Sequence, residues 1–91
     1  MLSDRPRISC DAVQRAWSGL LGEAARRMRQ KGDHALVSVH EILGCVTEEY
    51  HEVAEAVHDR TSLPQIRGEL VDLAVACLFG IACVDERTLD W

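Results

Sequence analysis

Aromatic residues are scarce: only Trp17, Tyr50, Phe79 and Trp91 occur in 91 residues, against a rich supply of Ala, Val and Leu. That composition disfavours a β-sandwich or barrel and favours helices. Strand-like alternation, internal repeats and low-complexity stretches are missing as well. Basic residues are outnumbered, 10 Lys and Arg against 15 Asp and Glu, for a net charge of −5. Modules that hold nucleic acid stably are more often basic, so no stable nucleic-acid binding is expected. The longest apolar run, Leu73 to Val84, covers twelve residues, too few to span a bilayer, and no membrane insertion is expected. Met1 to Arg7 is charged, and no apolar stretch of the kind a secretory signal carries follows it. CxxC pairs are absent, and Cys10, Cys45, Cys77 and Cys83 each sit in or beside an apolar helical pattern. They read as small buried hydrophobes in a reducing, cytoplasmic compartment. With no P-loop, Rossmann glycine pattern or G-x-S-x-G motif, the common NTPase, dinucleotide and serine-hydrolase readings lack support.

What is present describes one small soluble domain, 47% apolar and 27% charged. A chain of this mass buries about 64% of the surface its unfolded form exposes, a thin core that oligomerisation readily supplements. Three serines punctuate the apolar pattern. Ser9 caps a first helix over about 9–31, whose stripe is Val13, Trp17, Leu20, Leu21, Ala24 and Met28, with Gly32 as its stop. Ser38 and Glu41 form an S-x-x-E capping box for a second helix over about 39–60. Ser62 and Gln65 begin a third over about 63–84, with Pro64 tolerated in its first turn. The expectation is an all-α chain of three main helices. The third helix is apolar all round from Leu73 to Val84, which implies burial on every side. Two other helices cannot cover it, so a second copy is expected to complete a four-helix-type bundle in a homodimer or dimer of dimers.

Carboxylates interrupt this pattern in two places. The stripe of the second helix (Ile42, Leu43, Val46, Tyr50, Val53, Ala54, Val57) covers an arc of about 120°; Glu49 falls about 20° beyond its edge and Glu52 about 80° beyond on the same side. Glu48 and Glu55 lie further round towards solvent. On the third helix Glu69 and Asp72 are three apart and therefore neighbours on one face. Four carboxylates converging at about 6 Å in an effective dielectric of about 20 repel by about 3 kcal/mol per pair, more in total than a domain's whole stability. Such a cluster needs protons or cations, and oxygen-only ligands suit Mg²⁺ or Mn²⁺ rather than zinc. Solvated acids on separate faces are the other reading that spacing alone leaves open.

Glu48-Glu49-Tyr50-His51-Glu52 followed, after sixteen intervening residues, by Glu69-Leu70-Val71-Asp72 resembles the EExxE…ExxD signature of the MazG-like all-α nucleoside triphosphate pyrophosphohydrolases. The resemblance covers about Trp17 to Val84 and takes in the Lys31-Gly32-Asp33-His34 loop. It implies a single MazG-like helical domain over 1–91 that hydrolyses a nucleoside triphosphate to the monophosphate and pyrophosphate, in nucleotide-pool house-cleaning. It also implies metal binding by Glu49, Glu52, Glu69 and Asp72, with Mg²⁺ as the cofactor and Mn²⁺ as a substitute. Glu48 takes the first acidic position, where it would orient or deprotonate the attacking water. The chain ends at Trp91, sooner than longer members of that family, so the resemblance bears on the metal site more than on base recognition.

The basic run Arg26, Arg27, Arg29, Lys31 closes the first helix. It complements the helix dipole, and Arg26, Arg29 and Lys31 are candidates for binding triphosphate oxygens. Glu48-x-x-His51 and Glu55-x-x-His58 raise a di-iron or other metal-binding bundle as an alternative, although both histidines fall at least about 100° from the centre of the apolar stripe. A non-catalytic helical interaction module that retains the acidic pattern is the other alternative.

Overall fold

Three serine side chains open the three helices. Ser9 Oγ accepts the Ala12 N–H at 3.1 Å, Ser38 Oγ the Glu41 N–H at 3.1 Å, and Ser62 Oγ the Gln65 N–H at 3.2 Å. Each satisfies an amide that a helix start leaves without an internal partner. Behind them run α1 (Cys10–Lys31), α2 (Val39–His58) and α3 (Leu63–Asp85). The computed structural model describes residues 4–91. Met1, Leu2 and Ser3, and with them part of the Met1 to Arg7 stretch expected not to be a secretory signal, lie outside the described residues, among which there is no strand. Among the described residues no helix is long and apolar enough to cross a membrane.

α1 stops at Gly32, whose φ of 91° suits a residue without a Cβ. α2 and α3 stop differently, and alike. After α2, Asp59 donates its N–H to Glu55 O, Arg60 turns left-handed at φ 54°, and Thr61 donates both N–H and hydroxyl to Ala56 O. After α3, Glu86, Arg87 (φ 56°) and Thr88 repeat the backbone bonds, to Ala82, Val84 and Cys83. An acid–Arg–Thr triplet thus ends both helices, with arginine where glycine is usual. The tail then folds back: Thr88 Oγ1 donates to Leu36 O at 2.7 Å and the Asp90 N–H donates to Val37 O. The connection between α1 and α2 is thereby tied to the far end of α3.

α2 and α3 form an antiparallel hairpin and supply most of the packing, whereas α1 lies on α3 without approaching α2. Near the start of α2 and the end of α3, a Cβ built on Gly80 would stand 3.1 Å from Ile42 Cγ2. Glycine at this point lets the two helix axes come close. Ala56, Val75, Gly80 and Cys83 are the buried residues of the helices; α1 has none.

The third helix is therefore covered on fewer sides than its sequence demands. Ile81 (56% exposed) and Val84 remain open, as do Leu43 and Tyr50 on α2 and Val13 and Trp17 on α1. Of the four cysteines, all free thiols, only Cys83 is buried; Cys10, Cys45 and Cys77 are exposed. The expectation of four buried thiols fails at Cys10, Cys45 and Cys77 because three helices of this chain leave parts of each other uncovered. A Cα radius of gyration of 15.4 Å, against about 12 Å for a closed domain of this length, reports the same openness.

The left-handed arginines carry a testable cost. A non-glycine residue at such a φ is disfavoured by about 1–2 kcal/mol, partly offset in a glycine variant by the greater freedom of its unfolded chain. Arg60→Gly is expected to stabilise the fold by up to about 1 kcal/mol, seen as a higher Tm in calorimetry.

Candidate metal centre

The antiparallel register of α2 on α3 brings the two acidic pairs together. Passing up α2 from Ile42 to Glu49 and Glu52 corresponds to passing down α3 from Gly80 to Asp72 and Glu69. Each pair occupies successive turns of one helix face, and the hairpin sets those faces opposite each other. One carboxylate oxygen from each of Glu49, Glu52, Glu69 and Asp72 lies within 4.8 Å of the others. All four side chains are half-buried. Glu48 and Glu55, on the same helix, are exposed and stand outside the set.

Burial, and then mutual repulsion, shifts the protonation of the cluster. Burial, followed by the charges of Glu52 and Asp72, raises the Glu49 carboxyl above its ordinary value. Glu69 is raised by the same causes in the same order. Oε2 of Glu49 and Oε2 of Glu69 are buried and accept no hydrogen bond. A buried anionic oxygen without a donor is costly, and a proton or a cation among the four oxygens would relieve it. The donor set is all oxygen, which fits a hard divalent ion.

Asp72 differs from its three companions. Its Oδ1 accepts from Arg27 Nη2, reached across from α1, while Arg27 Nε donates to Glu23 Oε1 at 3.1 Å. Hydrogen bonds from Arg26 and Arg27 hold the Glu23 carboxyl down at about 2. Arg27 and Glu23 were not singled out by the sequence pattern, whereas Arg26 and Arg29 were. The structure has Arg26 bonded to Glu23 and Gln30 on its own helix and Arg29 exposed, so neither faces the carboxylates. Rotation about α1 explains the difference. Arg27 and Lys31 fall about 70° and about 30° from the centre of the α1 stripe, but Arg29 and Arg26 about 130° and about 170°.

A cleft of about 540 Å³ opens beside the cluster, with Glu49, Asp72, Arg27, Lys31 and His34 among its polar lining and Phe79 among its apolar lining. It joins the carboxylates to a positively charged rim at the end of α1. His51 and His58 point elsewhere. Their side chains are 72% and 88% exposed, and their ionic neighbours are Glu55 and Asp59. Neither enters the carboxylate set, as a di-iron histidine would have to. Comparison of the chain with family models, curated proteins and solved structures finds no match.

The raised carboxyls fix the sign of a pH effect. Between the ordinary value of 4.5 and their raised values, Glu49 and Glu69 bind more protons folded than unfolded. Metal-free stability therefore falls as pH rises through that window. Glu23 acts oppositely, since its contribution is present above 4.5 and is lost as pH falls towards about 2. Tm measured in a chelator is expected to rise as pH is lowered through the raised range of Glu49 and Glu69 towards 4.5, then fall as acidification continues towards the Glu23 value. Glu49→Gln should flatten the first limb and stabilise the metal-free protein at neutral pH by about 1 kcal/mol, while Glu55→Gln should do neither.

Proposed function

We propose that the chain is a Mg²⁺- or Mn²⁺-dependent nucleoside triphosphate pyrophosphohydrolase of the MazG-like type, with a role in nucleotide-pool house-cleaning in the cytoplasm. The observation that carries this reading is the convergence of four carboxylates from two helices, two of their oxygens buried without a donor. Glu49, Glu52, Glu69 and Asp72 would hold the cation. When bound, such an ion offsets the charge that builds on phosphate oxygens and acidifies water close to it.

The remaining work falls to side chains around the cluster. Glu48, exposed and outside the carboxylate set, is by the resemblance the candidate general base that takes a proton from the attacking water. The water oxygen bonds to the α-phosphorus, the α–β bridging bond breaks, and pyrophosphate leaves with the electron pair. Lys31, on the cleft rim with Arg27, supplies positive charge for the triphosphate tail. The apolar part of the cleft shelters the rest of the nucleotide from water.

A second copy of the chain is the proposed partner. The exposed surface is 7398 Å², against about 5,300 Å² for a closed protein of this mass. The surplus exceeds the roughly 800 Å² that each partner contributes to a standard interface. Val84 and Cys77 on α3 belong to the uncovered surface, and Ile81, which also lines the cleft, is open beside them.

A screen of nucleoside triphosphates is expected to release pyrophosphate with Mg²⁺ and none with excess chelator. Glu52→Gln should lower the rate by about a hundredfold, and Glu55→Gln, 64% exposed, should leave it unchanged. Saturating Mg²⁺ should stabilise the parent by about 2.7 kcal/mol at a hundredfold excess over Kd, a shift of several degrees in a domain this small. No metal-dependent shift and no turnover would sink the reading.

Sedimentation at micromolar concentration is expected to show a dimer or dimer of dimers. Ile81→Asp should dissociate or precipitate it, because a charge would enter an apolar contact. A well-folded monomeric parent would refute the assembly.

A further inference from the structure

Among the described residues, Arg27 is the only basic side chain with an ion pair to the carboxylate cluster. Its bond to Asp72 is also the only side-chain hydrogen bond that joins α1 to α3. Arg27 and Asp72 are 23% and 29% exposed, so water screens them less than a surface pair. A second, smaller cavity on the other flank of this pair is lined by Glu23 and Arg67, which places another positive charge close by. The remaining three carboxylates have no such partner; Glu49 and Glu69 each keep a buried oxygen without any donor. Positive charge has thus been supplied to one corner of the cluster alone.

We propose that Arg27 is the internal counter-cation of the site: its guanidinium neutralises Asp72 in the metal-free protein, and an incoming divalent ion competes with it for that carboxylate. This rests on the reading of the four carboxylates as a metal centre. A guanidinium and a divalent cation on one carboxylate repel each other, so occupancy by one weakens the hold of the other. The coupling is reciprocal, because an effect of Arg27 on metal affinity equals the effect of metal on the Arg27–Asp72 bond. Glu23 retains Arg27 Nε after Asp72 is given up, which keeps the released guanidinium at the cleft rim beside Lys31. Cation binding therefore loosens the polar tie between α1 and α3 and turns a positive group from the cluster towards the cleft.

Mn²⁺ titration of the full chain by calorimetry tests this with the parent, Arg27→Gln and Arg27→Lys. Arg27→Gln is expected to bind at least about fivefold more tightly, whereas Arg27→Lys, which keeps the repelling charge though not the fork, tightens by less than half as much. On the unaltered chain, solvent exchange of the Arg27 side-chain N–H groups, followed by NMR, should accelerate when Mg²⁺ is added. This measurement serves even where a variant folds poorly. A parent that binds no Mn²⁺ overturns the metal centre itself. If the parent does bind, the metal centre stands, and any of three results overturns the counter-cation role alone: equal or weaker binding by Arg27→Gln, equal tightening in Arg27→Lys, or unchanged Arg27 exchange.

Discussion

The close antiparallel packing of α2 on α3 is the constraint on which the candidate site depends, because it holds four like charges where free side chains would spread apart. Packing near Ile42 and Gly80 sets the separation of the helices, and the register then delivers Glu49 opposite Asp72 and Glu52 opposite Glu69. The energy that keeps them there comes from burial elsewhere in the hairpin, at Ala56, Val75 and Cys83. Any change that lets the two helices drift would relieve the repulsion and disperse the ligands together. Stability and site geometry are in this sense the same contact seen from two sides.

Much of this was legible in the residues. Ser9, Ser38 and Ser62 mark helix starts because few side chains can accept a bond from the first-turn amides, and the helices begin directly after them. The carboxylates were legible because i, i+3 spacing places two groups on one helix face whatever the tertiary structure. The stops of α2 and α3 were harder, since nothing in a single arginine announces a left-handed φ at Arg60 or Arg87. The choice among the basic residues of α1 was present in the helical rotation of Arg27 and Lys31, but clustering in sequence made Arg26, Arg27, Arg29 and Lys31 look equivalent. Burial of the thiols at Cys45 and Cys77 was misjudged for a different reason. Apolar patterning reports which surfaces should be covered, and the covering surface need not belong to the same chain.

α1 occupies an unusual position between these effects. It buries no residue fully, yet it carries the arginine that reaches Asp72 and the lysine that lines the cleft. A helix so lightly held by apolar contact is held in part by charge, and that charge is drawn from the same carboxylates that are candidates for ligating a cation. Apolar side chains of α1, Trp17 and Val13 among them, stay open rather than adding to that hold.

The fold-back of the tail gives the molecule an uneven mechanical character. Thr88 and Asp90 join the end of α3 to Leu36 and Val37 just ahead of α2, so α2, α3 and the segment between them close into a ring of contacts that excludes α1. Local opening should follow this boundary, because cooperative units of unfolding are contiguous and the least buried element opens at the lowest free energy. Amides of α1 would then exchange their hydrogens through a partial opening that leaves the α2–α3 ring intact. The carboxylates would survive that excursion in place, and only the arginine would come and go.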